Sequence, residues 1–266
     1  MSNPLISLLE RDSGRRVRVV HSDTCKFDLG LEIGTLSTFC SFENNKLGNA
    51  LVEQEAFGRS DSGDWHFSSQ VKFSDAHLKV TEVCHVDRTC GRRNLEVEAL
   101  ADSRLMDVVL RFVIAKDRVR SAFIGNREIT HRRRNRYHQY DFDQVILNLV
   151  NGTRLTFHPV GAALPAGFEH VVYLRDEPGR WILHVRALAL APSHYVLKGC
   201  SRWYNRPFPL MIQSMVLGST WLRSRLLYVR ERISQRIPIQ VNGAADLAKG
   251  RVIQLAVHWT CGHDRR

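Results

Sequence analysis

Leu105-Met106-Asp107-Val108-Val109-Leu110-Arg111-Phe112-Val113-Ile114 is an apolar strand near the start of the stretch, Asp102 to Pro159, whose reading decides the fold. The stretch closes with Gln144-Val145-Ile146-Leu147-Asn148-Leu149-Val150, then Asn151-Gly152, then Thr153-Arg154-Leu155-Thr156-Phe157-His158. Apolar and β-branched runs on either side of Asn-Gly signal a hairpin whose two turn residues both take positive φ. Between these ends lies His131-Arg132-Arg133-Arg134-Asn135-Arg136-Tyr137-His138-Gln139-Tyr140-Asp141, which is basic and aromatic. The pattern predicts one central sheet that carries this segment as its working surface.

Working toward the N-terminus, the period of two continues. Trp65, Phe67, Val71 and Phe73 share one face; Leu78, Val80, Cys84 and Val86 repeat the pattern, broken at Glu82; Leu95, Val97 and Ala99 alternate with Glu96 and Glu98. Close strands with no amphipathic helix between them indicate a meander or Greek key and not βαβ units. Val17, Val19 and His21 suit an earlier strand. Asn3-Pro4 ahead of Leu5, Ile6, Leu8 and Leu9 reads as a cap, a proline at the first helical position and a short N-terminal helix. Residues 29–42 and 50–57 are less regular, with Gly30, Gly34, Gly48 and Gly58 punctuating them as turns would.

Toward the C-terminus, Gly161 to Gly167 reads as a loop. Val171–Leu174 and Trp181–Leu188 read as strands joined by the turn Asp176-Glu177-Pro178-Gly179. Ser219 or Thr220 caps a predicted helix to about Gln235, in which Leu222, Leu226, Val229 and Ile233 make one apolar stripe. That stripe is expected to pack on the protein's own core, with arginines flanking it; a membrane-surface helix has a similar pattern. Val252 to Trp259 is a last strand. The fold class is therefore mainly β: a large antiparallel β-sandwich of two packed sheets, with a short N-terminal helix and one or two C-terminal helices. It is read as a single domain over residues 1–266 with a helical insertion around 207–236.

Composition narrows the partner. The chain has 266 residues and a net charge of +11, and of its 38 basic residues 31 are Arg and 7 Lys. Guanidinium groups make forked contacts with carboxylates and phosphates, which suggests an acidic saccharide or other polyanion as partner, nucleic acid among them. A codon bias toward Arg with a merely solvated basic surface gives the same totals. Cys25, Cys40, Cys84, Cys90, Cys200 and Cys261 are scattered without a Cys-x-x-Cys pair, so reduced thiols and a cytoplasmic location are expected. No apolar run is long enough for a transmembrane segment.

The motif search leaves the basic segment as the candidate site. His-Glu-x-x-His, phosphate-loop, dinucleotide and Gly-x-Ser-x-Gly patterns are absent, so no metal and no cofactor is expected. His131, Arg132, Arg134 and Arg136 are candidates to hold an anionic substrate, with Trp203 and Tyr204 lining the same cleft. His138, Tyr137 and Tyr140 are candidate acid/base groups. Arginine beside a substrate carboxylate stabilises the charge that develops when a neighbouring carbon loses its proton. The reading is a protein that binds or acts on an acidic saccharide, as a lyase, epimerase or hydrolase if it is an enzyme. A nucleic-acid-binding module and a non-catalytic interaction subunit are the alternatives.

Overall fold

The computed structural model describes residues 6–11, 14–23, 25–44, 47–125, 127–130, 136–139, 144–190, 192–200, 205–229 and 239–263. Strand β1 (Ile6–Arg11) forms a hairpin with β2 (Gly14–Val20), and β2 pairs with the first half of β3 (Lys26–Gly34). The second half of β3 pairs with the short β4 (Phe39–Ser41), after which Phe42–Asn44 makes one 3-10 turn. Next come β5 (Leu51–Arg59), β6 (Trp65–Lys72), β7 (His77–Val86) and β8 (Cys90–Ala99), an antiparallel meander. Beyond β9 (Ser103–Leu105), β10 (Asp107–Ala115) pairs on β3. Then follow β11 (Val119–Ile124), β12 (Arg127–Ile129), β13 (Arg136–Gln139), β14 (Val145–Leu149), β15 (Thr153–Ala163), β16 (Phe168–Glu177) and β17 (Arg180–Ala189). The chain continues with β18 (His194–Cys200), β19 (Asn205–Pro207), α1 (Leu210–Gly218), α2 (Thr220–Tyr228), β20 (Ile239–Leu247) and β21 (Val252–His263).

Two large antiparallel sheets result. The first runs β1-β2-β3-β10-β17-β16-β13, with β4 on β3; the second runs β12-β11-β14-β15-β21-β8-β7-β6-β5. A smaller sheet, β19-β18-β20-β9, adjoins them. The mainly β sandwich with late helices is thus the fold. Four expectations are corrected. Residues 6–11 are a strand and not a helix, because Gly14–Val20 offers them a full ladder and a short apolar run has no period long enough to tell the two apart. The stretch around β10, β14 and β15 does not build one sheet: β10 lies in the first and β14 and β15 in the second. Finally, Asn151 does not share the positive φ of Gly152, which stands at 81°. Gly152 N–H donates to Leu149 O at 3.1 Å, so Val150 and Asn151 are the turn's central residues and glycine takes the left-handed position after them. The loop expected from Gly161 is also shorter, since β15 continues through a register shift to Ala163.

The two sheets are joined by aromatic rings. Phe27 and Phe112 come from the first sheet, Phe157 and Trp259 from the second, and all four are at most 2% exposed. Phe27 meets Trp259 edge-on at 5.4 Å between centroids, and Phe112 meets Phe157 at 5.0 Å. Such pairs add about 0.5–1.5 kcal/mol each to the burial of the rings themselves. Gly91 stands opposite Trp259 in the ladder and has no side chain because the indole occupies that space. An ion pair of the second sheet also lies in this core. Arg93 makes a forked contact with Glu82, Nε at 2.9 Å and Nη2 at 2.7 Å, and its Nη1 donates to the carbonyls of Gly30 (3.0 Å) and Arg111 (3.1 Å). It therefore ties the second sheet to the backbone of two adjacent strands of the first.

Candidate functional site

The first sheet has one face in the core, and alternation alone sends the remaining residues of each strand to the other face. On β10 the core face takes Val108, Leu110, Phe112 and Ile114, leaving Asp107, Val109 and Arg111 outward. On β17 Trp181, Leu183, Val185 and Ala187 are inward, leaving Ile182, His184 and Arg186 outward. Register then aligns these strands. Gly30, Arg111, His184 and Tyr173 form one row across β3, β10, β17 and β16, and Glu32, Val109, Arg186 and Val171 form the next. An outward face that holds two arginines, a histidine and several carboxyls, nearly all buried, is chemically unlike either a core or a solvated surface. Arg111 is 5% exposed, His184 3% and Arg186 1%.

Glycines make room for the carboxylates. Gly30 and Gly34 lie on the outward face of β3, opposite Arg111 and Asp107. A methyl group at residue 30 would come nearer than 3.0 Å to all three end atoms of the Glu43 carboxyl group, and one at residue 34 would collide with Asp107 Oδ1. The 3-10 turn after β4 thus folds Glu43 over Gly30, where its Oε1 meets Arg111 Nη1 at 2.6 Å. Arg111 Nη1 also donates to Glu32, and Arg186 donates from Nε (2.8 Å) and Nη2 to Asp107 Oδ2. Three buried polar atoms of this cluster have no hydrogen-bond partner among the described residues: Arg111 Nε, Glu43 Oε2 and Asp107 Oδ1.

Burial and charge divide the titrating groups. Desolvation pushes Glu32 up to about 7, with Arg111 opposing it and Glu43 and Asp107 adding to it. Burial raises Glu43 as well, against the pull of Arg111. His184 is held well below the usual imidazole range, first by burial and then by Arg111, Arg175 and Arg186. The neutral ring donates Nδ1–H to Ile182 O at 3.2 Å, which puts the lone pair on Nε2. It also stacks on Tyr173 with centroids 4.4 Å apart. Of the three carboxyls, Glu32 is the most open, its side chain 14% exposed against 8% for Asp107 and 7% for Glu43. The site therefore offers one acid group near neutrality that solvent reaches, and one neutral base beside two guanidinium groups.

The residues singled out in the sequence sit differently. His131, Arg132, Arg134, Tyr140, Trp203 and Tyr204 lie outside the described residues. The backbone of Arg136, Tyr137 and His138 forms β13, where Arg136 stands opposite Asp176, Tyr137 opposite Arg175 and His138 opposite Leu174. β13 is the edge strand of the sheet that carries the buried cluster, two strands from His184. Glu32, Glu43, Arg111, Tyr173, His184 and Arg186 were not singled out. A usable signal was present, since Arg111, His184 and Arg186 interrupt otherwise apolar strands at alternate positions.

No family model matches the chain, and no curated protein matches it either. Solved structures do. The chain is similar to a provisionally assigned aldose 1-epimerase from Escherichia coli K12, with 9% identity and a TM-score of 0.48, over 97% of this chain and 99% of that one. It is also similar to a provisionally assigned kojibiose phosphorylase from the human microbiome, with 10% identity and a TM-score of 0.41. That match covers 99% of this chain and 27% of the other. Likeness at this level fixes neither a substrate nor a site residue.

Proposed function

We propose that the protein binds a saccharide on the outward face of the first sheet and acts on it by acid/base chemistry. The observation that carries this reading is the set of unpartnered buried polar atoms, Arg111 Nε, Glu43 Oε2 and Asp107 Oδ1, grouped on one face beside Glu32. Buried donors and acceptors are ordinarily paired. A polyhydroxylated ligand, whose every hydroxyl both donates and accepts, satisfies one donor and two acceptors at once. Gly30 and Gly34, which the carboxylates of Glu43 and Asp107 cover, are four residues apart on β3, roughly 13 Å at strand rise. The face thus spans more than a single hydrogen-bonding group.

In this reading Glu32, near half-protonated at neutrality, gives a proton, and His184 takes one at Nε2. Arg111 and Arg186 stabilise negative charge on the reacting oxygen. The acidic-sugar form of the proposal adds a carboxylate on the substrate directed toward β16 and β13. There Arg175 Nε and Arg180 Nε converge on Glu177 at 2.9 and 2.6 Å, and the backbone of Arg136–Gln139 forms the edge strand. The reaction is then proton abstraction from the carbon next to that carboxylate, giving epimerase- or lyase-type chemistry.

The test is NMR in deuterium oxide with a panel of uronic-acid and neutral oligosaccharides. Deuterium entering beside the carboxylate, reduced by about 10²- to 10⁴-fold in Glu32→Gln and in His184→Phe with affinity retained, is the expected result. Full exchange in both variants would remove these residues from the mechanism. No binding to any saccharide would end the proposal.

A further inference from the structure

The cysteines take no part in the saccharide site, yet two of them meet. Cys25 stands one residue before β3, and Cys261 lies near the end of β21. Their sulfurs are 2.7 Å apart although 236 positions separate them in sequence, a distance that hides the pair from any spacing motif. Cys25 is fully buried and Cys261 is 8% exposed. The neighbours hold this meeting in place. Side chains two apart on a strand share a face, so Cys261 accompanies Trp259 and Cys25 accompanies Phe27, all four within the core. Trp259 Nε1 donates to His21 Nε2 at 2.8 Å, and His21 Nδ1 donates to Arg88 O at 3.0 Å. The turn before β3 is closed by His21 N–H on Cys25 O (3.0 Å) and by Cys25 N–H on Ser22 Oγ (3.0 Å). On the other side Cys261 N–H donates to Thr89 O at 2.6 Å. Both cysteine backbones are fixed, and their thiols face each other across the two sheets.

We infer that Cys25 and Cys261 are a disulfide-forming pair, an oxidative modification site that staples the turn before β3 to the last strand of the second sheet. Bonded sulfurs stand about 2.05 Å apart, so closure asks for a movement of well under about 1 Å. Among the described cysteines this pair is also the one prepared to react. Cys40 and Cys84 are buried away from other thiols, and burial pushes Cys40 up to about 12 and raises Cys84 as well. Cys90 is raised by burial and by Asp87. Cys261 is lowered instead, because Cys25 shares its proton with it, and Cys25 is raised in return. The thiolate is the nucleophile, and Cys261 is the more exposed partner, so Cys261 reacts first. Its thiolate attacks one sulfur of a low-molecular-weight disulfide and expels the other as a thiolate, which takes the proton of Cys25. The Cys25 sulfur then displaces the remaining small thiol from Cys261. The two protein thiols thereby lose two hydrogens and two electrons, and the small disulfide is reduced to two thiols.

The experiment incubates the folded full chain with oxidised glutathione, quenches it, alkylates the remaining thiols in denaturant and maps the peptides by mass spectrometry. Expected is one peptide pair joined through Cys25 and Cys261. Because the bond closes a loop of 236 residues, the oxidised chain should melt about 5–10 °C higher, and dithiothreitol should reverse both changes. In Cys25→Ala the second displacement is impossible, so glutathione should stay trapped on Cys261 and the melting temperature should no longer respond to oxidation. Several outcomes would overturn the inference: both cysteines alkylated after oxidation while Cys90 alone carries glutathione, a Cys25–Cys261 bond that forms only once urea has unfolded the chain, or a bond that leaves the melting temperature unchanged. Should Cys25→Ala not fold, the peptide map and the melting shift of the wild type decide the matter by themselves.

Discussion

Replacing Gly30 by Ala tests whether the Glu43 carboxylate lies where the site requires it. The new methyl group would approach all three end atoms of that carboxyl group more closely than any real Cβ contact, and Glu43 is 6% exposed, so the carboxylate has little room to move aside. Its displacement breaks the 2.6 Å contact with Arg111. Breaking a buried ion pair costs about 3–5 kcal/mol, and the lower end applies because Arg111 keeps its contact with Glu32. Gly30 has no positive φ, so alanine brings no backbone strain and, through the unfolded chain, returns about 0.4–1 kcal/mol. The net loss is about 2–3 kcal/mol, read as a lower urea midpoint at constant slope. With Glu43→Ala already in place the obstruction is gone, and Gly30→Ala should become neutral or stabilising. That change of sign, a coupling near 3 kcal/mol, is the result to look for. A coupling below about 0.5 kcal/mol would refute the reasoning, since residues that do not touch show additive effects.

Other perturbations probe the same frame. Glu82→Ala leaves the Arg93 guanidinium in the core without its carboxylate and should cost about 3–5 kcal/mol, whereas Glu82→Leu with Arg93→Met together should cost far less; equal losses in urea denaturation would contradict the buried pair. Stability against pH separates the two titrating groups. Glu32 ionises at about 7 in the folded chain rather than at 4.5, so the folded state holds a proton that the unfolded state has lost, and stability declines as pH rises through that window. His184, kept neutral, has the opposite effect, lowering stability as pH drops below 6.5. Glu32→Gln should therefore tilt the stability profile toward rising with pH between 4.5 and 6.5, and His184→Phe toward falling; profiles parallel to the wild type would remove both assignments. Turnover that needs a protonated Glu32 should decline above pH 7, and a rate flat from pH 6 to roughly 9 would exclude Glu32 as the acid.

β6, β7 and β8 of the second sheet were legible because each has one face in the core and one toward solvent. Trp65, Phe67 and Val71, or Leu95, Val97 and Ala99, alternate with polar residues for that reason. β10 and β17 are buried on both faces, so their sequences read as nearly continuous apolar runs and their polar residues pass as interruptions. What those interruptions build depends on pairing between distant parts of the chain. Glu32 reaches Arg111 across 79 residues, and Asp107 reaches Arg186 across another 79, through a register that no local pattern encodes. The dense run of arginines before Tyr137 was conspicuous for the opposite reason, since charge in one local segment is visible without any fold. β13 nevertheless joins that segment to the sheet holding the buried cluster. The helices make the same point from the other side. Leu222 and Leu226 fall at the spacing of a core-facing stripe, yet spacing specifies only that residues share a face and not what that face meets. In α1 and α2 Gln213 bonds to the small sheet and Ile212, Val216, Leu217, Leu226 and Val229 are half-buried, while Met211, Met215 and Trp221 are left outward. Apolar periodicity identifies an element where the run is long enough to show its period; what the apolar face meets is decided by tertiary packing that the spacing does not encode.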